Sequence, residues 1–483
     1  MWCCITAEPK QLQAQLQQLQ LGLLDANQQF QPAPVSLTPW QLSPQQWQQA
    51  QQLSQLLGRL LLAASQDRQW LQQALQGLPA TNLFSRLAAL PQALNPALPP
   101  VPVMRHDMML DNSGQWRWVE SNTIAAGMGP LNQQLGRLPA LAYQQLAANP
   151  ALQQQALFAA ATALRQQYDS AMPVIVFVIE PAEDNLFDQQ LLQQALQQLG
   201  ARVQRLTLQQ LTLAQLSRHN RLQLHSGDEA DLVYYRTGYN HSDYASAAQL
   251  ALRATLQQAA LLQCPDIPLQ LAGSKWVQAA LSTLLLSGQH EKLLSWGFNP
   301  AQCTRLRQAV MPMYALTAAN TSQTLHDIAN GWLLKSQQEG GGGIWRGDDA
   351  TQQLLAHAHS GLMLMAPIQH QLRTEPVWLL RQGKLSCQLA TVSELGVFSV
   401  GIEHHYGGYL LRSKAAGELA GGVHRGGAVL DTIALSRSQS SKHRYKSLQV
   451  RYDDSVINHL IRETNDHSTV RRPAGTDVCC IKY

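Results

Sequence analysis

The chain of 483 residues is long enough for two or three packed units, and its 45% hydrophobic residues are ample for real cores. Only 14% of the residues are charged, and a formal net charge of +4 gives little attraction to nucleic acid or anionic lipid, so neither partner is implied. No apolar run approaches the roughly 20 residues that span a bilayer, and no basic segment followed by an apolar stretch opens the chain, so we expect a cytoplasmic protein.

The amino-terminal part is predicted to contain long helices. Between residues 43 and 76 the apolar side chains recur at helical spacing, which indicates amphipathic helices with a buried stripe. Three prolines between 99 and 102 then precede a predicted strand at 103–110. A turn at 111–114 leads into the second strand of a hairpin at 115–123.

The middle of the chain alternates helices and strands. The run at 173–179 is apolar throughout, which is typical of a strand buried on both faces. Around it the pattern predicts a helix at 150–168, a helix at 188–199, strands at 201–206 and 231–235, and a helix at 245–262. This alternation indicates an α/β domain with a parallel sheet.

After residue 265 the pattern changes to a helix ending at 286 and then to strand-rich sequence at 332–411, which indicates an α+β region. A glycine run at 340–343 and a second glycine-rich loop at 421–427 could close as two mobile covers on one cleft. From 436 to 483 the sequence is polar with weak periodicity, and we predict a loosely ordered tail.

The segment 331–343 combines groups that bind a nucleotide phosphate. A strand-like run carries Lys335 and Glu339 into four glycines that begin at Gly340. Glycine lets backbone N–H groups approach an anion, lysine supplies a positive charge, and glutamate can hold the Mg²⁺ that accompanies a nucleotide. A flexible linker is the alternative, because glycine runs followed by acids, here at 348–349, often link domains.

Glu120 and Asn122 are two residues apart on a predicted strand, so both oxygen-bearing side chains face the same side. Mg²⁺ prefers such oxygen ligands, and Arg105 on the partner strand could neutralise transferring phosphate nearby. A solvated strand face is the alternative interpretation.

Further charged residues end or flank predicted strands. Arg236 precedes a tight turn and could form a carboxylate-binding fork, and Arg412 and Lys414 share a strand face. Glu394 could accept a hydrogen bond from a ribose or an amino group. Ordinary surface or strand-end charge is the alternative for each.

Two other kinds of site find little support. His357 with His359, and the segment 403–405, lack a complete ligand set at a spacing known for transition metals. The seven cysteines form no Cys-x-x-Cys spacing, which indicates reduced thiols, and no Gly-x-Ser-x-Gly signature points to a hydrolase.

Taken in order, these segments resemble the eukaryotic-type glutathione synthetases, a family of the ATP-grasp superfamily, over roughly residues 101–431. The resemblance is carried by Glu-Ser-Asn-Thr-Ile at 120–124, Asn-Leu-Phe-Asp-Gln at 185–189, Tyr-Arg-Thr-Gly-Tyr at 235–239, Cys-Pro-Asp-Ile at 264–267, Gln-Leu-Ala-Gly-Ser-Lys at 270–275, Ser-Glu-Leu-Gly at 393–396 and Leu-Arg-Ser-Lys at 411–414.

The resemblance implies an ATP-grasp-type architecture that mixes α/β and α+β structure. Its expected parts are a helical region at 1–100, a catalytic region at 101–170 and 265–435 with a glycine-rich lid around 335–347, a parallel-sheet substrate domain at 171–264, and the polar tail at 436–483.

The resemblance also implies roles for individual residues. Mg²⁺ would be held by Glu120, Asn122 and Glu339. Catalysis would involve Glu339, Arg105, which would stabilise the transferred phosphoryl group, and Arg412, which would bind the substrate carboxylate. The nucleotide would be bound by Met109, Glu120, Lys275, Lys335, Gly340, Gly341, Gly342, Met365, Ile368, Glu394 and Lys414. The other substrates would be bound by Arg105, Ile124, Ala125, Ala126, Gly127, Glu183, Asp184, Asn185, Gln189, Arg236, Thr237, Gly238, Tyr239, Arg412, Val423 and His424.

The family reaction converts the carboxylate of γ-glutamylcysteine into an acyl phosphate with ATP, and the amine of glycine attacks it to give glutathione, ADP and phosphate. The resemblance therefore implies that γ-glutamylcysteine, glycine and ATP are the substrates and that the protein is a homodimer. The chain departs from the family pattern at two places that bear on the nucleotide and the acceptor. On the nucleotide side, Ala366 and Pro367 replace a Glu-Lys pair, and in the loop expected to cover the acceptor, His424 and Arg425 replace small residues. A γ-glutamyl-peptide ligase with another amine acceptor and a non-catalytic nucleotide-binding scaffold are the alternatives.

Overall fold

One sheet of eight strands and two sheets of four strands contain most of the described strands, and a long helix packs against the largest sheet. The computed structural model describes residues 8–90, 98–141, 145–168, 171–288, 290–317, 320–337, 343–357, 361–419, 421–423 and 426–436. Within it, residues Glu8–Ser436 form one compact unit. No helix in the part of the chain that the structure describes is long and apolar enough to cross a membrane.

The helices of these residues, in chain order, are α1 (Pro9–Gln18), α2 (Pro44–Gln66), α3 (Arg68–Ala74), α4 (Leu83–Ala88), α5 (Gly129–Leu135), α6 (Ala151–Arg165), α7 (Leu186–Gln198), α8 (Leu208–Leu211), α9 (Ala247–Gln258), α10 (Ile267–Ala272), α11 (Lys275–Leu286), α12 (Glu291–Ser295), α13 (Pro300–Ala309), α14 (Thr321–Ala329) and α15 (Gly347–His357).

The strands are β1 (Gly22–Leu24), β2 (Phe30–Pro32), β3 (Val35–Ser36), β4 (Trp40–Leu42), β5 (Val103–Leu110), β6 (Trp116–Asn122), β7 (Val174–Ile179), β8 (Arg202–Thr207), β9 (Gln215–Leu216), β10 (Leu222–Gln223), β11 (Glu229–Ala230), β12 (Leu232–Tyr235), β13 (Leu262–Cys264), β14 (Met313–Ala315), β15 (Leu333–Lys335), β16 (Ile344–Trp345), β17 (Met363–Met365), β18 (Val377–Arg381), β19 (Lys384–Gln388), β20 (Thr391–Val400), β21 (His405–Ala415), β22 (Val429–Asp431) and β23 (Ile433–Leu435).

Eight strands form the largest sheet, in the order β19-β18-β3-β22-β21-β20-β5-β6. Every pair in it is antiparallel except β22 with β3. Helix α2 begins with a capping box at Ser43, and it packs its apolar stripe into the same core as β5, β20 and β21. Trp47 on α2 contacts Tyr406 and Tyr409 edge to face, at ring-centre distances of 5.6 and 5.7 Å.

A second sheet, β13-β12-β7-β8, is parallel throughout. Its central strand β7 is buried over five of its six residues, which explains the uninterrupted apolar run. The predicted parallel sheet is therefore confirmed. A third sheet, β14-β17-β15-β16, is antiparallel and carries Lys335 at the end of β15.

Two local predictions were wrong. The helix expected at 245–262 ends at Gln258, and Leu262 instead begins β13, because pairing with β12 outweighs helix propensity there. The first hundred residues include short strands, of which β3 joins the largest sheet. Residues 347–349, for which a flexible linker was the alternative interpretation, begin α15, where two aspartates in the first turn suit the positive end of the helix dipole.

Candidate active site

Four neighbouring strands of the largest sheet carry the first cluster of predicted site residues. Arg105 on β5 lies opposite Asn122 on β6, and Glu394 on β20 lies opposite Arg412 on β21. Alternate residues of a strand share a face, so these side chains can gather on one side of the sheet. Arg412 donates to Glu394, and Arg105, Asn122 and Arg412 all donate to one carboxylate on β5, so these side chains do gather there.

Two lysines from different elements meet at Glu120. Lys275 is the first residue of α11, after the capping residue Ser274, and Lys335 ends β15. The Nζ atoms of Lys275 and Lys335 lie 3.6 and 3.8 Å from Oε2 of Glu120. Lys335 Nζ also donates to the carbonyl of Val119 at 3.4 Å. The two lysines are almost completely buried, so their positive charges are confined to this place.

The charge of Glu120 is set by these neighbours. Burial alone would raise the pKa of its carboxyl group, but Lys275, Lys335, Arg412 and Arg105 outweigh burial and lower the pKa to about 2. Glu120 is therefore an anion at neutral pH, as a metal ligand must be.

Asp107 is a central member of this cluster that sequence reasoning missed. It is fully buried, and its carboxylate accepts from Arg105 Nε at 2.7 Å and Nη2 at 2.8 Å, from Arg412 Nη2 at 3.0 Å and from Asn122 Nδ2 at 3.1 Å. An Arg-x-Asp pair on one strand face was the available signal. Asp107 holds both arginines in fixed positions.

On the far side of Arg412, the same guanidinium donates to Glu394, and Lys414 Nζ donates to the carbonyl of Leu419 at 2.7 Å. Burial lowers the pKa of Lys414, while Glu394 acts in the opposite direction. Among the side chains that the structure describes here, positive charges outnumber negative ones. The cations are Arg105, Lys275, Lys335, Arg412 and Lys414, and the anions are Asp107, Glu120 and Glu394.

The residues present fit a hard divalent cation. Because a carboxylate only accepts, Asp107 fixes the amide of Asn122 with Nδ2 toward itself and leaves Oδ1 for another partner. Ionised Glu120 supplies a second oxygen on the same strand. The third predicted ligand, Glu339, lies outside the described residues. Within those residues, His, Cys, Asp and Glu side chains form no group of three suited to a metal.

A second cluster lies where the strands of the parallel sheet end. Arg236 directly follows β12, the segment 183–189 runs from the loop after β7 into the first turn of α7, and Arg205 is near the end of β8. Arg236 Nη2 lies 3.6 Å from Oδ2 of Asp188. At the start of α5, the N–H group of Met128 donates to the same oxygen, and the N–H group of Leu131 donates to Oδ1 of Asp188. Ligands commonly bind at this edge of a parallel sheet.

The turn after Arg236 is held by its own hydrogen bonds. Oδ2 of Asp243 accepts from the backbone N–H groups of Gly238, Tyr239 and Asn240, each at 2.9 Å. Gly238 has φ +95°, a conformation that favours glycine. Thr237 donates to Glu180, and burial raises the pKa of Tyr239, so its hydroxyl stays protonated.

The loop between β6 and α5 joins the two clusters. Arg105 Nη1 donates to the carbonyl of Gly127 at 3.0 Å, and Arg236 Nη1 donates to the carbonyl of Ala125 at 3.3 Å. A Cβ atom on Gly127 would lie 2.3 Å from Arg236 Nη2, so this close approach requires glycine. The two arginines therefore meet the same short loop from opposite clusters.

The remaining predicted site residues are distributed as follows. Met109, Ile124, Ala126, Met365, Ile368 and Val423 are buried, and Asp184 is exposed. Met365 Sδ lies 3.7 Å from Lys335 Nζ, which brings that residue to the first cluster. Predictions for Glu339, Gly340, Gly341, Gly342 and His424 fall outside the described residues.

Comparisons with known proteins identify the family of the chain. A family model described as "Eukaryotic glutathione synthase, ATP binding domain" matches residues 12–435. "Glutathione synthetase, chloroplastic" of Solanum lycopersicum is 29% identical over 443 residues, which cover 83% of this chain and 78% of that protein. "Glutathione synthetase" of Homo sapiens is 29% identical over 347 residues, 66% of this chain and 71% of that protein.

Among solved structures, a glutathione synthetase-like effector from Globodera pallida, solved without ligand, superimposes with a TM-score of 0.65. It is 15% identical, and the match covers 90% of this chain and 100% of that one. At this level of identity, the likeness shows a shared fold.

Proposed function

The chain belongs to the eukaryotic glutathione synthase family, and we propose that its two clusters together carry out the ATP-dependent ligation of γ-glutamylcysteine to glycine. The products are glutathione, ADP and phosphate. The observation that carries this assignment is the shared loop. Arg105, in the cluster with the buried lysines, and Arg236, at the edge of the parallel sheet, donate to carbonyls two residues apart.

The close approach of the two clusters at this loop suits a phosphoryl transfer between two bound substrates. Positive groups are needed where charge develops on phosphoryl oxygens, and a strong protein nucleophile is not. In this proposal Lys275 and Lys335 bind nucleotide phosphates, Arg105 stabilises the transferred phosphoryl group, and Arg412 binds the reacting carboxylate. The glycine-rich lid would keep water from the acyl phosphate.

The nucleotide would bind with Mg²⁺, held by Glu120, Asn122 and Glu339. The low pKa of Glu120 and the fixed amide of Asn122 support this part of the proposal. The cation supplies positive charge to phosphate oxygens. The homodimer and the cytoplasmic location stay predictions.

The test is phosphate release from Mg·ATP in the presence of γ-glutamylcysteine, with no acceptor, with glycine, or with a panel of other small amines, and with product masses recorded. We expect release that requires glycine and a product with the mass of glutathione. Release with another amine only would move the acceptor assignment to a related γ-glutamyl-peptide ligase. No release with any amine would overturn the ligase assignment in favour of a nucleotide-binding scaffold.

A further inference from the structure

Arg205 lies on β8, beside the segment that follows β7. Its side chain is half-buried, and Nη2 donates to Oε1 of Gln189 at 2.7 Å. Gln189 on α7 is only 1% exposed. Because a guanidinium only donates, this bond places the amide oxygen of Gln189 toward Arg205 and its Nε2 elsewhere.

Several buried polar atoms near this bond have no hydrogen-bond partner. Three donor atoms in this region of the described chain have no hydrogen-bond partner: Gln189 Nε2, Arg205 Nη1 and Arg236 Nε. Two acceptor atoms, Oδ1 of Asn185 and Oε2 of Glu183, are also without one. A buried polar group left unpaired destabilises the fold, so such a set indicates a place where a polar ligand binds.

The charges of the neighbouring side chains also favour a bound polar ligand here. Burial lowers the pKa of Arg205, and Arg236 nearby lowers it further, while Glu183 acts in the opposite direction. Two guanidinium groups therefore lie close enough to repel each other. A ligand carboxylate between them would offset this repulsion, and the positive end of α7, which begins at Leu186, favours an anion in the same region.

Donors and acceptors together match a zwitterion. A carboxylate accepts from the unpaired N–H groups, and an ammonium group donates to the oxygens of Asn185 and Glu183. An α-amino acid end of a small peptide carries both groups side by side. The γ-glutamyl end of γ-glutamylcysteine has this chemistry.

Building on the ligase assignment, we propose that Arg205 is a further substrate-recognition residue, which binds the α-carboxylate of the γ-glutamyl group through Nη1 and orients the amide of Gln189 through Nη2. It thereby selects peptides that keep this carboxylate over peptides that lack it.

The test compares the wild type with Arg205→Gln on two substrates, γ-glutamylcysteine and 4-aminobutanoyl-cysteine, which lacks the α-carboxylate. For γ-glutamylcysteine we expect KM to rise roughly 10- to 100-fold, as the loss of one charge-assisted hydrogen bond implies, with KM for ATP unchanged. With the second substrate, the variant and the wild type should have equal KM values. Equal KM values for γ-glutamylcysteine, or the same fold-change on both substrates, would overturn the proposal.

Arg202→Gln is the matched control, since Arg202 lies on the same strand but is exposed and paired with Asp228. It should leave KM for both substrates unchanged. Arg205→Lys keeps the charge and should recover part of the affinity, which provides a second variant if Arg205→Gln does not fold.

Direct binding separates this proposal from the ligase assignment. If the wild type binds γ-glutamylcysteine in calorimetry but releases no phosphate, the ligase assignment fails, and weaker binding by Arg205→Gln still supports the recognition role. If the two proteins bind the dipeptide equally, or neither binds it, the recognition role is overturned.

Discussion

Asp107 illustrates how one buried carboxylate can organise several charged side chains. Its two oxygens accept from Arg105, Arg412 and Asn122, and Gly396 on the neighbouring strand leaves the space, since a Cβ atom there would lie 2.4 Å from Oδ1. Removing one partner of such a buried network leaves the other charges uncompensated. Asp107 is therefore expected to affect catalysis without touching the substrate.

Asp107→Asn should lower kcat for glycine-dependent phosphate release roughly 100-fold or more, because both arginines lose the group that fixes their positions. KM for γ-glutamylcysteine should change less than kcat. Steady-state kinetics measures kcat and KM, and urea unfolding checks that the variant is folded. Asp228→Asn breaks an exposed ion pair with Arg202 and serves as the control, with kcat unchanged. A kcat of Asp107→Asn within about threefold of wild type would contradict this role.

The limits of sequence reasoning at this scale are visible in Asp107 and Arg205. Glu120 and Asn122 could be found because strand alternation places them on one face. Asp107 was passed over because its partners Arg105 and Arg412 come from strands about three hundred residues apart in the chain. Arg205 lies on β8, whose alternating polar residues look like an ordinary partly exposed strand.

At the scale of elements, the loop between β6 and α5 has the largest effect on the site. Ala125 and Met128 adopt positive φ values of 52° and 74°, so the loop turns sharply and presents its carbonyls to both clusters. Gly127 between them contacts the guanidinium of Arg236. A change at this position should therefore act directly on the site.

Gly127→Ala should raise KM for γ-glutamylcysteine at least about tenfold, because the new methyl group displaces the guanidinium of Arg236 from its place between Ala125 and Asp188. The free energy of unfolding should also fall, because the displaced guanidinium is buried and moves away from the buried carboxylate of Asp188. Gly417→Ala is the control, because nothing lies within 4 Å of a Cβ atom there. Equal KM values for both variants would show that the contact has no role in binding.

Long elements were predictable and short ones were not. The strand expected at 103–110 is β5, residue for residue, and the helix expected to end at 286 does end there. Strand β3 has only two residues, and it exists because β18 and β22, far along the chain, pair with it. No periodicity can be read from two residues, so only the folded sheet reveals this strand.

At the scale of the whole molecule, buried histidines link the fold to pH. His106 shares hydrogen bonds with the hydroxyl groups of Ser121 at 2.7 Å and Ser399 at 2.9 Å, behind the strands that carry the first cluster. Burial, then His404 and Arg105, lower the pKa of His106 to about 3. Burial, then Arg59 and His405, lower the pKa of His404 to about 4.

The free energy of unfolding should therefore fall as the pH drops from about 6.5 toward 4. In that window the unfolded chain binds protons at these two positions and the folded chain does not, so acid favours unfolding, by at most about 1.4 kcal/mol per pH unit for each histidine. Urea unfolding at several pH values measures the slope. His106→Gln should give a shallower slope, and His225→Gln, at an exposed position, should keep the wild-type slope. Identical slopes for all three proteins would rule out His106 as a source of the pH dependence of stability.

The excess of positive charge around Glu120 also determines how ligands can arrive. A free divalent cation would add charge of the same sign to a place already rich in lysine and arginine, and would be repelled. A nucleoside triphosphate that already carries its cation is still anionic overall, so the same field attracts it. In the proposed function, Mg²⁺ would therefore enter the site already bound to the nucleotide, and the ligand-free protein should bind free divalent cations weakly.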